Sequence, residues 1–102
     1  MAEQAVDVIS LCSADGSLSP LRLRMEDIDR GAMRMDIDRV MRMTHIDTVG
    51  AEGVLYLCRA TAGGRQWTVE LRYAIRTHIW YMTRCFSCKE RNFGEQQYNR
   101  MQ

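Results

Sequence analysis

The sequence predicts an all-β fold. The expected form is a small single domain, an antiparallel curved sheet or barrel of about six strands, with a polar C-terminal tail or short helix. Three observations lead there. Apolar and polar side chains alternate at a period of two residues through several stretches, as in "LRLRM" (21–25) and "QWTVELRYAI" (66–75). Tight-turn pairs, Asp15-Gly16 and "AGGR" (62–65), separate these stretches at short spacing. The chain has 102 residues, enough for one thin-cored domain and too few for two.

Each element follows from its residues. "AVDVISLCS" (5–13) is rich in Val, Ile and Leu and stops at Asp15-Gly16. In 21–25, Leu21, Leu23 and Met25 alternate with Arg22 and Arg24, and Pro20 stands at the start, where a missing N–H does least harm. "EDIDRGA" (26–32) reads as a connection turning at Gly31. "MRMDIDRVMRM" (33–43) sets Met33, Met35 and Ile37 against Arg34, Asp36 and Asp38, and its phase breaks near Val40, which predicts a bulge. A helix competes over 24–43, where Met and Ile also recur at spacings of three and four. No capping box precedes that run and Gly31 interrupts it, so the strand reading is preferred.

After a loop at 45–53, "VLYLCRAT" (54–61) alternates little, which predicts a strand covered on both faces. In 66–75, Trp67, Val69, Leu71, Tyr73 and Ile75 share one face; Thr68, Glu70 and Arg72 share the other. A short turn at 76–78 leads to a closing strand, "IWYMTR" (79–84). Closing such a sheet would bury a thin core from all sides and remove exposed edges. The predicted organisation is a barrel-like domain over 1–84 and a tail over 85–102.

Composition is ordinary for a globular domain, with 46% apolar and 26% charged residues. No apolar run reaches the roughly 18–20 residues that span a bilayer. The opening "MAEQAVDVISLCSADG" lacks the basic start of a secretory signal. A cytoplasmic protein without a membrane partner is expected, its four cysteines reduced or metal-bound. Net charge is +1 but is unevenly spread: residues 1–58 carry six Arg/Lys against ten Asp/Glu, and residues 59–102 carry eight against three. Such asymmetry suits an anion-binding face, or simply acidic and basic strands paired side by side. Thirteen of the fourteen basic residues are Arg. That favours phosphate or carboxylate recognition, although a GC-rich genome yields the same bias.

Taken together, "ISLCSADGSLSPLRLRMED", "MDIDRVMRM", "VLYLCRA" and "WTVELRYAIRTHIWYM" make the chain resemble a family of small uncharacterised proteins from Firmicutes. The shared pattern covers about residues 8–82. The resemblance implies a compact β-rich fold and a bacterial, cytosolic setting, and carries no assigned activity.

Two groups of residues are candidate sites. Cys85 and Cys88 form a Cys-x-x-Cys, half of a four-thiolate zinc site. Cys12 and Cys58 lie on separate predicted strands, and His45 and His78 are isolated. A tight zinc site would therefore need a dimer or a convergence in the fold, and an incidental thiol pair is the simpler reading. Thioredoxin-type chemistry would need a βαβ context that is not present. The second group is aromatic and basic: Trp67, Tyr73, Trp80 and Tyr81 lie among Arg59, Arg65, Arg72, Arg76 and Arg84. Aromatics beside guanidiniums are the ingredients of a single-strand nucleic-acid platform. The plainer reading puts Trp67 and Tyr73 in the core with Val69 and Leu71, and points only one of Trp80 and Tyr81 outward.

Five of the eight methionines cluster between 25 and 43 and suit core filling; Met41 and Met43, if exposed with Ile46, would favour self-association. The pairs Asp36/Asp38 and Asp27/Asp29 read as solvated strand faces, and no catalytic motif appears. The expected function is a non-enzymatic binding module that engages an acidic partner or single-stranded nucleic acid. Its working surface would be the last hairpin, through Arg72, Arg76 and whichever of Trp80 or Tyr81 faces out, with Arg59 and Arg65 nearby. The alternative is a structural homodimer, with zinc held by Cys85 and Cys88.

Overall fold

Among the described residues six strands follow one another in sequence and around the fold: β1 (Gln4–Cys12), β2 (Leu18–Asp27), β3 (Gly31–Ile46), β4 (Gly53–Ala62), β5 (Arg65–Ala74) and β6 (Ile79–Ser87). The computed structural model describes residues 3–27 and 31–88. All pairings are antiparallel, and β1 pairs with β6 to close the barrel. The all-β expectation therefore holds, and the 24–43 region is strand wherever it is described. The region expected to be a tail begins at 85, but β6 continues to Ser87; residues 89–102 lie outside the described part. Among the described residues no helix is long and apolar enough to cross a membrane.

The turns follow from their residues. Gly63 and Gly64 both have positive φ (60° and 72°), the two left-handed positions that a two-residue hairpin with the twist of its strands requires. At the first hairpin, Asp15 Oδ1 accepts hydrogen bonds from the Ser17 N–H (3.0 Å) and hydroxyl (2.8 Å), and Gly16 donates to the Ser13 carbonyl. Those bonds hold the Asp15 carboxyl below its usual range. Gly53 serves by its size. A Cβ there would sit 2.5 Å from the Tyr73 carbonyl oxygen, so only glycine lets the start of β4 lie this close to the end of β5.

Alternate residues line the interior, as predicted for β5; on β4 the alternation is seen only in the structure. From β4 come Val54, Tyr56, Cys58, Ala60 and Ala62; from β5, Val69 and Leu71; from β6, Trp80 and Met82. Leu23 and Met35 complete the fully buried set, and Val6 comes from β1. The β4 series runs from large to small, and Ala60 stands opposite Trp67. A six-stranded barrel has little interior room, so small residues at one end make space for the indole. Its Nε1 donates to the Ala62 carbonyl (3.3 Å). At the other end Trp80 packs between Tyr56 and Tyr73, with ring centroids 5.3 and 4.9 Å away. Each aromatic pair of this kind contributes about 0.5–1.5 kcal/mol beyond burial. β4 is covered on both faces as expected, since no residue in it is exposed.

Bulges change the alternation at three places that matter. On β2, Ile9 pairs with Arg22 and Ser10 with Pro20, so Leu21 is an extra residue. Pro20 becomes buried, and Leu21, predicted to face in with Leu23, is exposed instead. On β3, two extra residues, Asp38 and Met41, flank Val40, where the sequence predicted one bulge. On β6, Thr83 is the extra residue, because Glu70 pairs with Arg84 and Leu71 with Met82. Ile75, predicted inward, lies just past the end of β5 and is exposed.

Candidate functional site

Most guanidiniums of the last hairpin are already engaged. Arg72 forms a bidentate pair with Glu3 (2.8 and 2.7 Å), and its guanidinium carbon lies 4.5 Å from the centre of the Tyr81 ring. Glu3 is held below its usual pKa chiefly by that bond, and Arg72 is raised by it. Arg76 donates to Glu52 (2.8 Å), which brings the Glu52 carboxyl down to about 2. Arg84 donates to both oxygens of Glu70 (3.3 Å each). Glu70 lies below the usual carboxylate range mainly because it accepts from the Thr83 hydroxyl at 2.7 Å. On the first two hairpins, Arg22 pairs with Asp36 and Arg24 with Asp7. These surface pairs contribute little stability each, ~0–1 kcal/mol, but they neutralise the arginines they hold.

Trp80 is 7% exposed and belongs to the interior, so of the two neighbouring aromatics it is Tyr81 that points outward. Tyr81 is half-buried beneath Arg72. Arg65 is exposed and lines a cleft with Arg34 and Trp67 at the Gly63-Gly64 end of the barrel.

A different group of arginines is left without carboxylates. Register places Arg39 on β3 directly opposite Arg59 on β4, Arg59 opposite Thr68 on β5, and Thr68 opposite Phe86 on β6. This row crosses the outer wall. Two arginines stand side by side at one end, and an exposed phenyl ring, 52% accessible, stands at the other. The next row reads Arg42, Leu57, Glu70, Arg84. Among the described residues neither Arg39 nor Arg59 has a carboxylate partner. Arg59 Nη2 lies 4.0 Å from the Met41 sulfur, and its Nε is buried with no acceptor. Like charges directly opposite across strands are unfavourable by about 0.2–1 kcal/mol. A buried donor left unmade costs about 1–3 kcal/mol. The row is thus short of negative charge and of a hydrogen-bond acceptor at the same point.

The sequence reading named Arg59 but missed Arg39, Arg42 and Phe86. Residues 39 and 42 are three apart, which in a regular strand puts them on opposite faces. The extra residue Met41 turns Arg42 to the same face as Arg39. The broken phase near Val40 was the available signal. Phe86 was assigned to the tail and therefore given no face.

The other candidates separate. Cys85 faces the interior opposite Val69, and burial pushes its thiol pKa up, with Cys88 adding to the effect. Cys88 Sγ is 3.0 Å from the Thr68 hydroxyl. Burial raises the Cys58 thiol to about 12. Among the described residues no three His, Cys, Asp or Glu side chains converge as metal ligands would. Asp36 is taken by Arg22, and Asp38 accepts from Thr61 at 2.6 Å, so the two carboxylates serve separate partners. Among the described residues the His45 side chain has no hydrogen-bond partner, and His78 Nδ1 shares a 2.6 Å hydrogen bond with the Tyr73 hydroxyl. No family model, curated protein or solved structure matches this chain.

Proposed function

We propose that the protein is a non-enzymatic binding module whose outer β3–β6 wall engages single-stranded nucleic acid. The observation that carries this reading is the Arg39–Arg59 pair, two arginines directly opposite across β3 and β4 with no carboxylate partner among the described residues. A phosphate supplies the negative charge that this point lacks and acceptors for the accessible guanidinium nitrogens. Phe86, exposed in the same row, offers a face on which a base can stack. Arg42 extends the basic edge along β3. The working surface is thus shifted from Arg72 and Arg76, which are neutralised by Glu3 and Glu52, toward Arg59 and its neighbours on β3.

Fluorescence anisotropy with a labelled oligothymidylate tests this, run at low and high salt against the wild type and an Arg39→Glu/Arg42→Glu variant. The expected result is binding at low salt that weakens steeply as salt rises and is lost in the variant. No binding at low salt, or binding indifferent to salt, overturns the reading. Equal binding of polyglutamate would reassign the surface to an acidic protein.

A further inference from the structure

The barrel wall is open along part of its length. β2 and β3 pair only between Arg22/Asp36 and Asp27/Gly31. Beyond that, Leu18–Pro20 are paired only with β1, and the strand from Ile37 to Ile46 only with β4. A cavity of about 240 Å³ lies between the diverging strands, with Ser17 and Leu18 on one side, Met43 and His45 on the other, and Tyr56 and Tyr73 beneath. The Tyr56 hydroxyl donates to the Leu18 carbonyl at 2.8 Å and keeps the two sides from parting further. The β3 edge of this opening is exposed on both faces. Val40 and Met43 are 36% and 49% accessible although each stands opposite an inward residue, Cys58 and Tyr56 respectively. Arg39, Arg42, Thr44 and His45 are exposed as well. In a closed barrel a strand exposes one face only.

We propose that this edge of β3 pairs with the same edge of a second copy of the chain, forming a two-fold antiparallel junction that joins the two walls into one sheet. The sequence of the edge is self-complementary in that arrangement. An axis between Met41 and Arg42 sets Val40 of one copy against Met43 of the other, two apolar residues that both face inward. It sets Arg39 against Thr44, both outward, so no guanidinium lies opposite another. Asp38 then faces His45. Moving the register by two residues toward the N-terminus puts Arg39 against Arg42 and is opposed by charge. The bulges at Asp38 and Met41 twist the edge and disfavour open-ended strand addition, whereas a two-fold junction closes on itself. The junction stands on strand pairing and not on the nucleic-acid reading, although it would bring two copies of the Arg39–Arg59 row onto one wall. Cys85 lies on β6 and Cys88 just past its end, three strands from β3, or about 14 Å at the usual ~4.8 Å strand spacing. The junction therefore does not bring the thiols of two copies together.

The area involved is small, so the dimer is weak, and sedimentation should be followed from about 5 to 500 µM. The wild type is expected to pass from monomer to dimer over that range, and amide exchange at 38–45 to slow at the higher concentration. Val40→Lys/Met43→Lys, at two exposed positions, is expected to stay monomeric with an unchanged melting temperature. A wild type that remains monomeric throughout overturns the proposal. So does a dimer that this variant leaves intact and that Ile9→Lys/Leu11→Lys breaks, since the interface would then be the exposed apolar face of the first hairpin. Should the lysine variant fail to fold, the concentration dependence of exchange in the wild type decides: no slowing at 38–45 refutes the junction. Loss of oligonucleotide binding with an intact dimer would refute the nucleic-acid reading alone.

Discussion

Replacing Arg59 with methionine should make the free protein more stable and its binding weaker. In the wild type the Arg59 Nε is buried without an acceptor, and Arg39 lies directly across the strand pair. The first feature costs about 1–3 kcal/mol and the second about 0.2–1 kcal/mol. Methionine keeps an unbranched stem that can pack against Met41, the residue Arg59 already touches, and removes both penalties. Arg59 is only partly buried and its outer nitrogens keep some solvent, so the low end of the range applies. The expected net gain is about 1 kcal/mol, which for a domain of this size raises Tm by about 4–8 °C. The assay is thermal unfolding followed by circular dichroism without ligand. Oligonucleotide binding measured across salt concentrations completes it. Loss of one phosphate contact should flatten the slope of log K against log salt by about 0.7. A variant that melts below the wild type would mean that the guanidinium stabilises the barrel, and the reasoning about a missing acceptor would be wrong. A higher Tm with an unchanged salt slope would keep the energetic argument and remove Arg59 from the binding surface.

Other outcomes can be checked alongside. Gly53→Ala should be clearly destabilising in chemical denaturation, because its Cβ meets backbone rather than a flexible side chain; wild-type stability would contradict the close β4–β5 approach. Tyr56→Phe removes the bond to the Leu18 carbonyl and should cost about 1 kcal/mol, with faster amide exchange at 17–19 as its local signature. The Glu52 carboxyl should titrate near 2 by NMR and rise in Arg76→Ala, staying below the ordinary range because backbone hydrogen bonds at Glu52 and Gly50 also hold it down. Because its folded pKa is depressed, its stabilising contribution is fully present above the unfolded value of about 4.5 and fades as pH falls toward 2. Thiol labelling of the native protein should modify exposed Cys12 quickly and Cys58 only through unfolding, since Cys58 is fully buried and its pKa is near 12; rapid labelling of Cys58 would show that the barrel opens.

The parts of the fold that could be read from the sequence are those set by local rules. In β5 the alternation around Trp67, Val69 and Leu71 gives the inward face directly, because a side chain's direction depends only on its position in a regular strand; β4, apolar on both faces, shows no such rhythm in its sequence. The Gly63-Gly64 turn is legible for the same reason, as two adjacent left-handed residues leave few other options. Leu21 and Ile75 were assigned to the inward face by extending that rule past a bulge and past a strand end. Of the candidate surface, Arg59 was visible, while Arg39, Arg42 and Phe86 were hidden by the extra residue at Met41 and by the uncertain end of β6.

By itself the sequence determined the all-β class, the order of the strands and most of the interior, since each rests on a two-residue rhythm and on turn chemistry confined to a few neighbours. The tertiary structure alone decided which arginines remain uncommitted. Arg72 is neutralised by Glu3, 69 positions earlier, and Arg59 is confronted by Arg39 through a register shifted by two bulges. Such pairings depend on how distant strands are laid side by side, and nothing within a few residues of either partner records that alignment.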